Sequence, residues 1–327
     1  MPRALLFAEE WEADSVTCGP GATDGGDTML QRYDQRNADV KYWVNGVLRH
    51  RDEPGISPFD SVVQGGDAVW EGLRLYQGKV FGLDAHLARL RRSAAALGFA
   101  AVPSDKEITD ALTETLHANA MTDGVHIRLT LTRGVKVTSG MDPRLNQSGC
   151  TLIVLAEHKP PVYDTTGLTL ATSSVRRPGP DVLDPKIHHN NLINSILAKM
   201  EATVAGADDA LMLDGRGFVA ETNATHLFAV VGGALATPRT VACPEGITRL
   251  TVLALAAQHG IEAVERDISL AEMYAADEVF CTGTMGEIAG VTVIDGRTIG
   301  EGGIGPVTRR VAEIYLAHAR SSGTPVL

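Results

Sequence analysis

Residues 125–134, VHIRLTLTRG, alternate without a break: Val125, Ile127, Leu129 and Leu131 fall on one side, His126, Arg128, Thr130 and Thr132 on the other. Successive side chains of a strand point to opposite faces, so this run demands a sheet whose apolar face is covered. A helix cannot satisfy a period of two. The later run TLIVLA, residues 151–156, is apolar throughout and predicts a strand buried more fully. Two tight-turn signals precede them: Asn-Gly inside YWVNGVLRH, and the return from GLRLY into GKVFGL.

Covering helices are also legible. Leu87, Leu90, Ala94 and Leu97 recur at helical spacing and stop at Gly98, while Ser104 and Glu107 form a capping box ahead of Ile108, Leu112 and Leu116. The second half has hairpins across LDGRGF and VVGGAL, an apolar helix in DPKIHHNNLINSILAKMEA, a helix from Thr248 to about His259, and a strand at DEVFCTG. Strands and helices mix without a strict βαβ rhythm, which favours a mixed α+β architecture over a doubly wound sheet.

At 327 residues the chain is long enough for two cores. Residues 1–38, rich in Gly, Asp and Thr with no apolar period, read as a flexible extension without a catalytic role. Residues 39–157 read as a smaller amino-terminal α/β domain, 158–167 as a linker carrying Pro, charge and Gly, and 168–327 as a larger carboxy-terminal domain. A formal charge of −11 opposes nonspecific nucleic-acid binding, because phosphate contacts need a basic field. No run approaches membrane-spanning length, and four scattered cysteines without a C-x-x-C pair fit a reducing cytoplasm. Chemistry on small molecules is what remains.

The glycine runs QGGDAVWEG and GEGGIG match neither a Walker loop nor a dinucleotide fingerprint. His188 and His189 are adjacent, so on a helix they diverge and cannot form an i, i+4 metal pair; no metal is indicated. A sharper set is Arg89 in AHLARL, Lys186 after Asp-Pro, Glu221 in VAETNATHLF, Thr248 in EGITR, and the later TGTMGE.

In this order and spacing, with VWEGLRLYQGKVFGLDAHLARLRRSA, HIRLTLTRG, LMLDGRGFVAETNATHLFAV and GPVTRR, the chain resembles the class IV aminotransferases from about Trp43 to Tyr315. The resemblance implies the two-domain fold-type IV architecture, like that of D-amino-acid aminotransferase, with pyridoxal 5'-phosphate between the domains. It makes Lys186 the Schiff-base lysine and proton shuttle, so that Lys186→Ala would abolish transfer; a solvated lysine at a helix entrance is the bland alternative. It sets Glu221 against the pyridine nitrogen, and Arg89, Gly246, Ile247 and Thr248 around the phosphate, where a helix start supplies amides. Thr284 would add donors near the phosphate or the substrate carboxylate.

The likeness is strongest to branched-chain aminotransferases, with departures. Their tyrosine five positions after the lysine is Asn191 here, a shorter cofactor contact that does not ionise, and another pocket tyrosine corresponds to about Gly65. Their Tyr-x-Arg pair appears as His126-Ile127-Arg128, so Arg128 would take a substrate carboxylate beside His126, with a solvated sheet face as the alternative. Trp70 and Met285 would line the substrate pocket. The loop Thr138–Gly140 lacks the Arg-x-His pair of D-amino-acid enzymes. The expected activity is ping-pong transamination between an L-amino acid with an apolar or branched side chain and a 2-keto acid, in a homodimer or higher assembly. Alternatives are an aminodeoxychorismate lyase-like reaction, transamination of D-amino acids or (R)-amines, and a noncatalytic member that binds only cofactor or partner.

Overall fold

The computed structural model describes residues 30–163 and 166–327. The expected extension over 1–38 lies outside the described residues as far as residue 29. The remainder of that stretch is tied down. Asn37 is buried, its amide donating to the His158 carbonyl and its side-chain oxygen accepting from the His158 amide, at 2.9 and 2.8 Å.

The first half builds β1 (Lys41–Val44), β2 (Val47–His50), α1 (Ser61–Gly65), β3 (Ala68–Tyr76), β4 (Lys79–Val80), α2 (Leu83–Ala96), α3 (Asp105–Ala118), β5 (Val125–Thr132) and β6 (Thr151–His158). The second half builds β7 (Leu168–Thr172), α4 (Ile193–Val204), β8 (Asp209–Leu213), β9 (Val219–Thr222), β10 (His226–Val231), β11 (Ala234–Pro238), α5 (Ile247–Gln258), β12 (Ala263–Arg266), α6 (Leu270–Tyr274), β13 (Glu278–Gly283), β14 (Glu287–Ile294), β15 (Arg297–Thr298), α7 (Pro306–Ser321) and β16 (Thr324–Pro325). Among the described residues these strands form a seven-stranded sheet, β16-β4-β3-β5-β6-β1-β2, and a nine-stranded one, β12-β11-β10-β13-β14-β7-β8-β9 with β15 on β14.

The turn chemistry does what its residues allow. Asn45 and Gly46 both hold positive φ, 43° and 87°, the geometry whose twist matches a hairpin such as β1–β2. Both halves of the capping box at Ser104 and Glu107 close on α3, and α2 gives way to Gly98 at φ 67°. The apolar face of β5, with Leu73 and Leu75 of β3, packs under Leu87, Leu90, Leu112 and Leu116 as one core. A second core joins the halves: Tyr76 and Phe81 meet Phe228, Phe280 and Tyr315, and the Tyr76 hydroxyl donates to Glu287 Oε1 at 2.8 Å.

Three features bear on the sequence reading. The polar face of β5 is not solvated: His126, Thr130 and Thr132 are buried, and Thr132 shares the Asp60 carboxylate with Thr151. The stretch read as the carboxy-terminal domain, 168–327, sends its last strand into the other sheet, where β16 pairs with β4. And α4 begins only at Ile193, so Lys186 stands in a loop rather than at a helix entrance. The cause is an edge contact that holds the chain extended: Trp70 donates to the His188 carbonyl, Asn190 to that of Ala68, and Val69 bridges His189.

Candidate active site

A cleft enclosing roughly 780 Å³, open to solvent, lies between the two sheets. β3 brings Trp70 and Gly72 to it, α2 brings Arg89, and the end of β9 brings Glu221. Gly246, Ile247 and Thr248 line it from the start of α5, and residues 282–286 line it from the end of β13 and the turn before β14.

Arg89 is held by protein groups on three sides. Its Nε and Nη2 reach the two oxygens of Glu71 at 2.9 and 2.6 Å, and its Nη1 donates to the Glu245 carbonyl at 2.8 Å. Glu71 is fully buried and is also met by His86 Nδ1 at 2.7 Å. Burial pushes the Glu71 carboxyl up, but His188 and Arg89 together outweigh it and hold the group well below the usual carboxylate range. A guanidinium has five donor hydrogens, so after these three bonds two remain for a ligand.

Beside Arg89, α5 starts at the N-cap Gly246 with no side-chain cap. Its first-turn N–H groups therefore lack an intrahelical partner at the positive end of the helix, a seat for an anion. Glycine is required by close approach, since a Cβ at 246 would lie 2.2 Å from His226 Cδ2. At the end of β13, the buried Thr282 hydroxyl has no hydrogen-bond partner among the described residues, which leaves another donor unspent.

Glu221 also lines the cleft, buried, ion-paired with Arg177 through Oε1 and 3.7 Å from His226 Nδ1. Burial raises its carboxyl to about 7 against the opposing pull of Arg177 and Arg89. A carboxyl raised above its unfolded value favours the fold fully below about 4.5, and that contribution fades as pH rises through about 7. We therefore expect this side chain to lower the stability of the cofactor-free protein by on the order of 3 kcal/mol across that window, at about 1.4 kcal/mol per pH unit. Urea titrations at several pH values should show the slope, and Glu221→Gln should flatten it; an unchanged slope would remove Glu221 as its source.

Of the residues singled out in the sequence, Trp70, Arg89, Glu221, Gly246, Ile247, Thr248, Thr284 and Met285 meet in this cleft. Asn191 does not: it is exposed and lines an adjoining cavity with Arg177 and Asn223, which touches the cleft at Trp70, His188, Glu221, Ala224 and Pro244. His126 and Arg128 line neither space. Arg128 lies over the Trp70 ring at 4.0 Å and donates to Asn190 Oδ1 at 2.6 Å, while burial pushes His126 down to about 3. Lys186 also lines neither space: its Nζ donates to Thr240 Oγ1 at 2.7 Å and lies 3.6 Å from Glu245 Oε1, with the side chain 40% exposed.

His188 lines both, stacked on Trp70 with ring centroids 4.5 Å apart and with Nδ1 against the Trp70 carbonyl. A carbonyl can only accept, so Nδ1 carries the hydrogen. Burial and the Arg89 charge hold this ring below the ordinary histidine value against the pull of Glu71. Sequence reasoning missed His188 by setting the pair on a helix. It also missed Glu71, whose signal was a charge inside the apolar run of β3, and Gln31, Val162 and Tyr163, which line the cleft from stretches read as extension and linker. Glu221, His226 and Cys243 come together with ligand-type atoms within 4.8 Å, a trio whose sequence spacing gives no metal signal. The Arg177 guanidinium on the same carboxylate opposes a cation there.

With the geometry in hand, comparison with known proteins is decisive. The model of the family described as amino-transferase class IV matches residues 68–294. This chain belongs to the class IV aminotransferases. Its architecture is the fold-type IV fold, and the cofactor of the family is pyridoxal 5'-phosphate. It is 55% identical over 291 residues to branched-chain-amino-acid aminotransferase-like protein 2 of Arabidopsis thaliana, covering 89% of this chain and 52% of the relative. It thus spans about half the length of that relative. To the branched-chain-amino-acid aminotransferase of Pseudomonas aeruginosa it is 35% identical, covering 85% and 92% of the two chains. The structure of a T.th. branched-chain amino acid aminotransferase complexed with N-(5'-phosphopyridoxyl)-L-glutamate superposes with a TM-score of 0.80 at 34% identity, covering 86% of this chain and 95% of that one. For a class IV aminotransferase the cleft holds groups that fit the cofactor: an anion seat with unspent donors and a buried carboxyl able to share a proton with a pyridine nitrogen.

Proposed function

We propose that the chain transfers the amino group of an L-amino acid with an apolar side chain to a 2-keto acid. The observation that carries this reading is the meeting of Arg89, the uncapped start of α5 and Glu221 in one cleft. Arg89 and the amides of Ile247 and Thr248 hold the phosphate. Glu221 holds a proton at the pyridine nitrogen, with Arg177 keeping the carboxylate in place. The cofactor supplies the electron sink that makes the substrate Cα–H acidic. Lys186, by its place in the motif, supplies the amine that attaches the cofactor, and its Nζ moves the Cα proton. Trp70, Val162 and Met285 give one side of the cleft an apolar lining suited to branched side chains, in keeping with the names of the relatives.

The test is a donor screen on the cofactor-loaded protein with 2-oxoglutarate, following glutamate by chromatography. L-leucine, L-isoleucine and L-valine should give glutamate, and D-leucine and (R)-1-phenylethylamine should not. Glutamate from the D-amino acid alone would overturn the stereochemical reading, and none from any donor would overturn the transfer itself.

Ile193, Ile196, Leu197, Met200 and Val204 form an exposed apolar stripe along α4, at spacings of three, four, seven and eleven from the first. A contiguous stripe of this kind calls for a cover, and a second copy of the chain supplies one. Light scattering should give a mass twice the 34.7 kDa of the chain, with Ile196→Glu/Met200→Glu halving it; a monomeric wild type would remove the dimer. No helix among the described residues is long and apolar enough to cross a membrane, and the free thiols of Cys150, Cys243 and Cys281 fit a reducing cytoplasm.

A further inference from the structure

The cleft matches the cofactor at its phosphate and ring-nitrogen ends, but no lysine is among the residues lining it or the adjoining cavity. The amine that the reading requires is held just outside. Lys186 Nζ donates to Thr240 Oγ1 at 2.7 Å and lies 3.6 Å from Glu245 Oε1. Its own loop is pinned on both sides of the side chain. Before it, the Lys186 amide donates to Asp184 Oδ1 at 2.9 Å; after it, the His188 amide donates to Ser93 Oγ at 3.0 Å. The backbone is thus set, and what can move is the four-carbon stem.

That stem does not have far to go. The neighbours of Lys186 in the chain, Pro185 and Ile187, line the adjoining cavity, which meets the cleft at Glu221. Glu245 adds a link to the anion seat, because its carbonyl accepts from Arg89 while its carboxylate faces both Lys186 and Arg92. Thr240 and Glu245 flank the turn between β11 and α5, the same turn that builds the anion seat.

We propose that Thr240 and Glu245 are positioning residues for Lys186: they form a latch that holds Nζ beside the cleft, and the lysine must leave it to attach the cofactor. The proposal rests on reading the cleft as a pyridoxal-phosphate site with Lys186 as its amine. Attachment forms a carbon–nitrogen double bond between Nζ and the cofactor's carbonyl carbon. The carbonyl oxygen leaves as water with the two amine hydrogens, so no oxidant or reductant is consumed. Only the unlatched fraction of Lys186 can react, and the observed rate of attachment scales with that fraction.

The experiment reads attachment rather than turnover. Protein stripped of cofactor would be mixed with pyridoxal 5'-phosphate, quenched with borohydride at timed intervals, digested and mapped by mass spectrometry. A pyridoxyl adduct on Lys186 of the wild type is expected. Thr240→Val removes the acceptor without changing charge and should attach about three- to tenfold faster, the effect of losing one hydrogen bond of ordinary net strength. Thr240→Ser, which keeps the hydroxyl, should match the wild type. Glu245→Gln should also attach faster. In a Lys186→Ala background, Thr240→Val should leave noncovalent cofactor binding unchanged by equilibrium dialysis, since there is then no lysine to hold. An unchanged or slower rate in Thr240→Val, with the wild-type adduct on Lys186, overturns the latch and leaves the site standing. Binding without an adduct on Lys186 overturns the assignment of that lysine, and failure of the wild type to bind overturns the cofactor site.

Discussion

Arg89→Ala is expected to cost about 3–5 kcal/mol of folding stability, read as a lowered urea midpoint at unchanged m-value. Glu71 is fully buried and takes both short bonds from Arg89, so removing the guanidinium strands a buried carboxylate without its cation. His86 and His188 lie against the same carboxylate, but both are held below their ordinary values by burial and cannot replace a permanent charge at neutral pH. The double variant Arg89→Met/Glu71→Gln should recover much of the stability, because the charge and its partner leave together. It should not recover the cofactor, whose phosphate loses its cation. A stable Arg89→Ala would refute the account of the pair, and undiminished cofactor affinity in the double variant would refute the phosphate seat.

Glu221→Ala is expected to lower kcat for amino transfer by about 10²- to 10³-fold, the loss typical of removing one preorganised electrostatic partner from an active site. The reason is positional. Glu221 is buried, is aligned by Arg177, and lines the same cleft as the anion seat. On the proposed reading, its loss would take from the pyridine nitrogen the carboxylate that holds its proton and would weaken the electron sink. Glu221→Asp should recover part of the rate if charge is what matters, although a shorter side chain reaches Arg177 less well. Equal activity in Glu221→Ala and wild type would show that the ring nitrogen is served by another group.

Much of the frame was legible because it rests on local chemistry. Asn45-Gly46 could only favour a tight hairpin, Ser104 and Glu107 could cap only one helix, and the period of two at 125–132 fixed a strand. Arg89, Glu221 and EGITR were legible through resemblance, and they converge. What failed was local inference at long-range contacts. The stretch containing Lys186 read as a helix start, but pairing with β3 holds residues 188–190 extended and delays α4 to Ile193. That shift of a few residues brings His188 into the cleft wall and leaves Lys186 beside Thr240.

The sequence by itself therefore determined which segments become strands and helices, where most turns fall, and which family the order of motifs resembles, because each depends on residues close in the chain. The tertiary structure alone decided that Glu71 and Arg89 form a buried pair, that Gln31, Tyr163 and His188 line the cleft, and that Thr240 and Glu245 hold Lys186 at its edge. Those outcomes depend on which edges pair and which charges lose their water when two sheets close on one another, and no spacing along the chain encodes that directly.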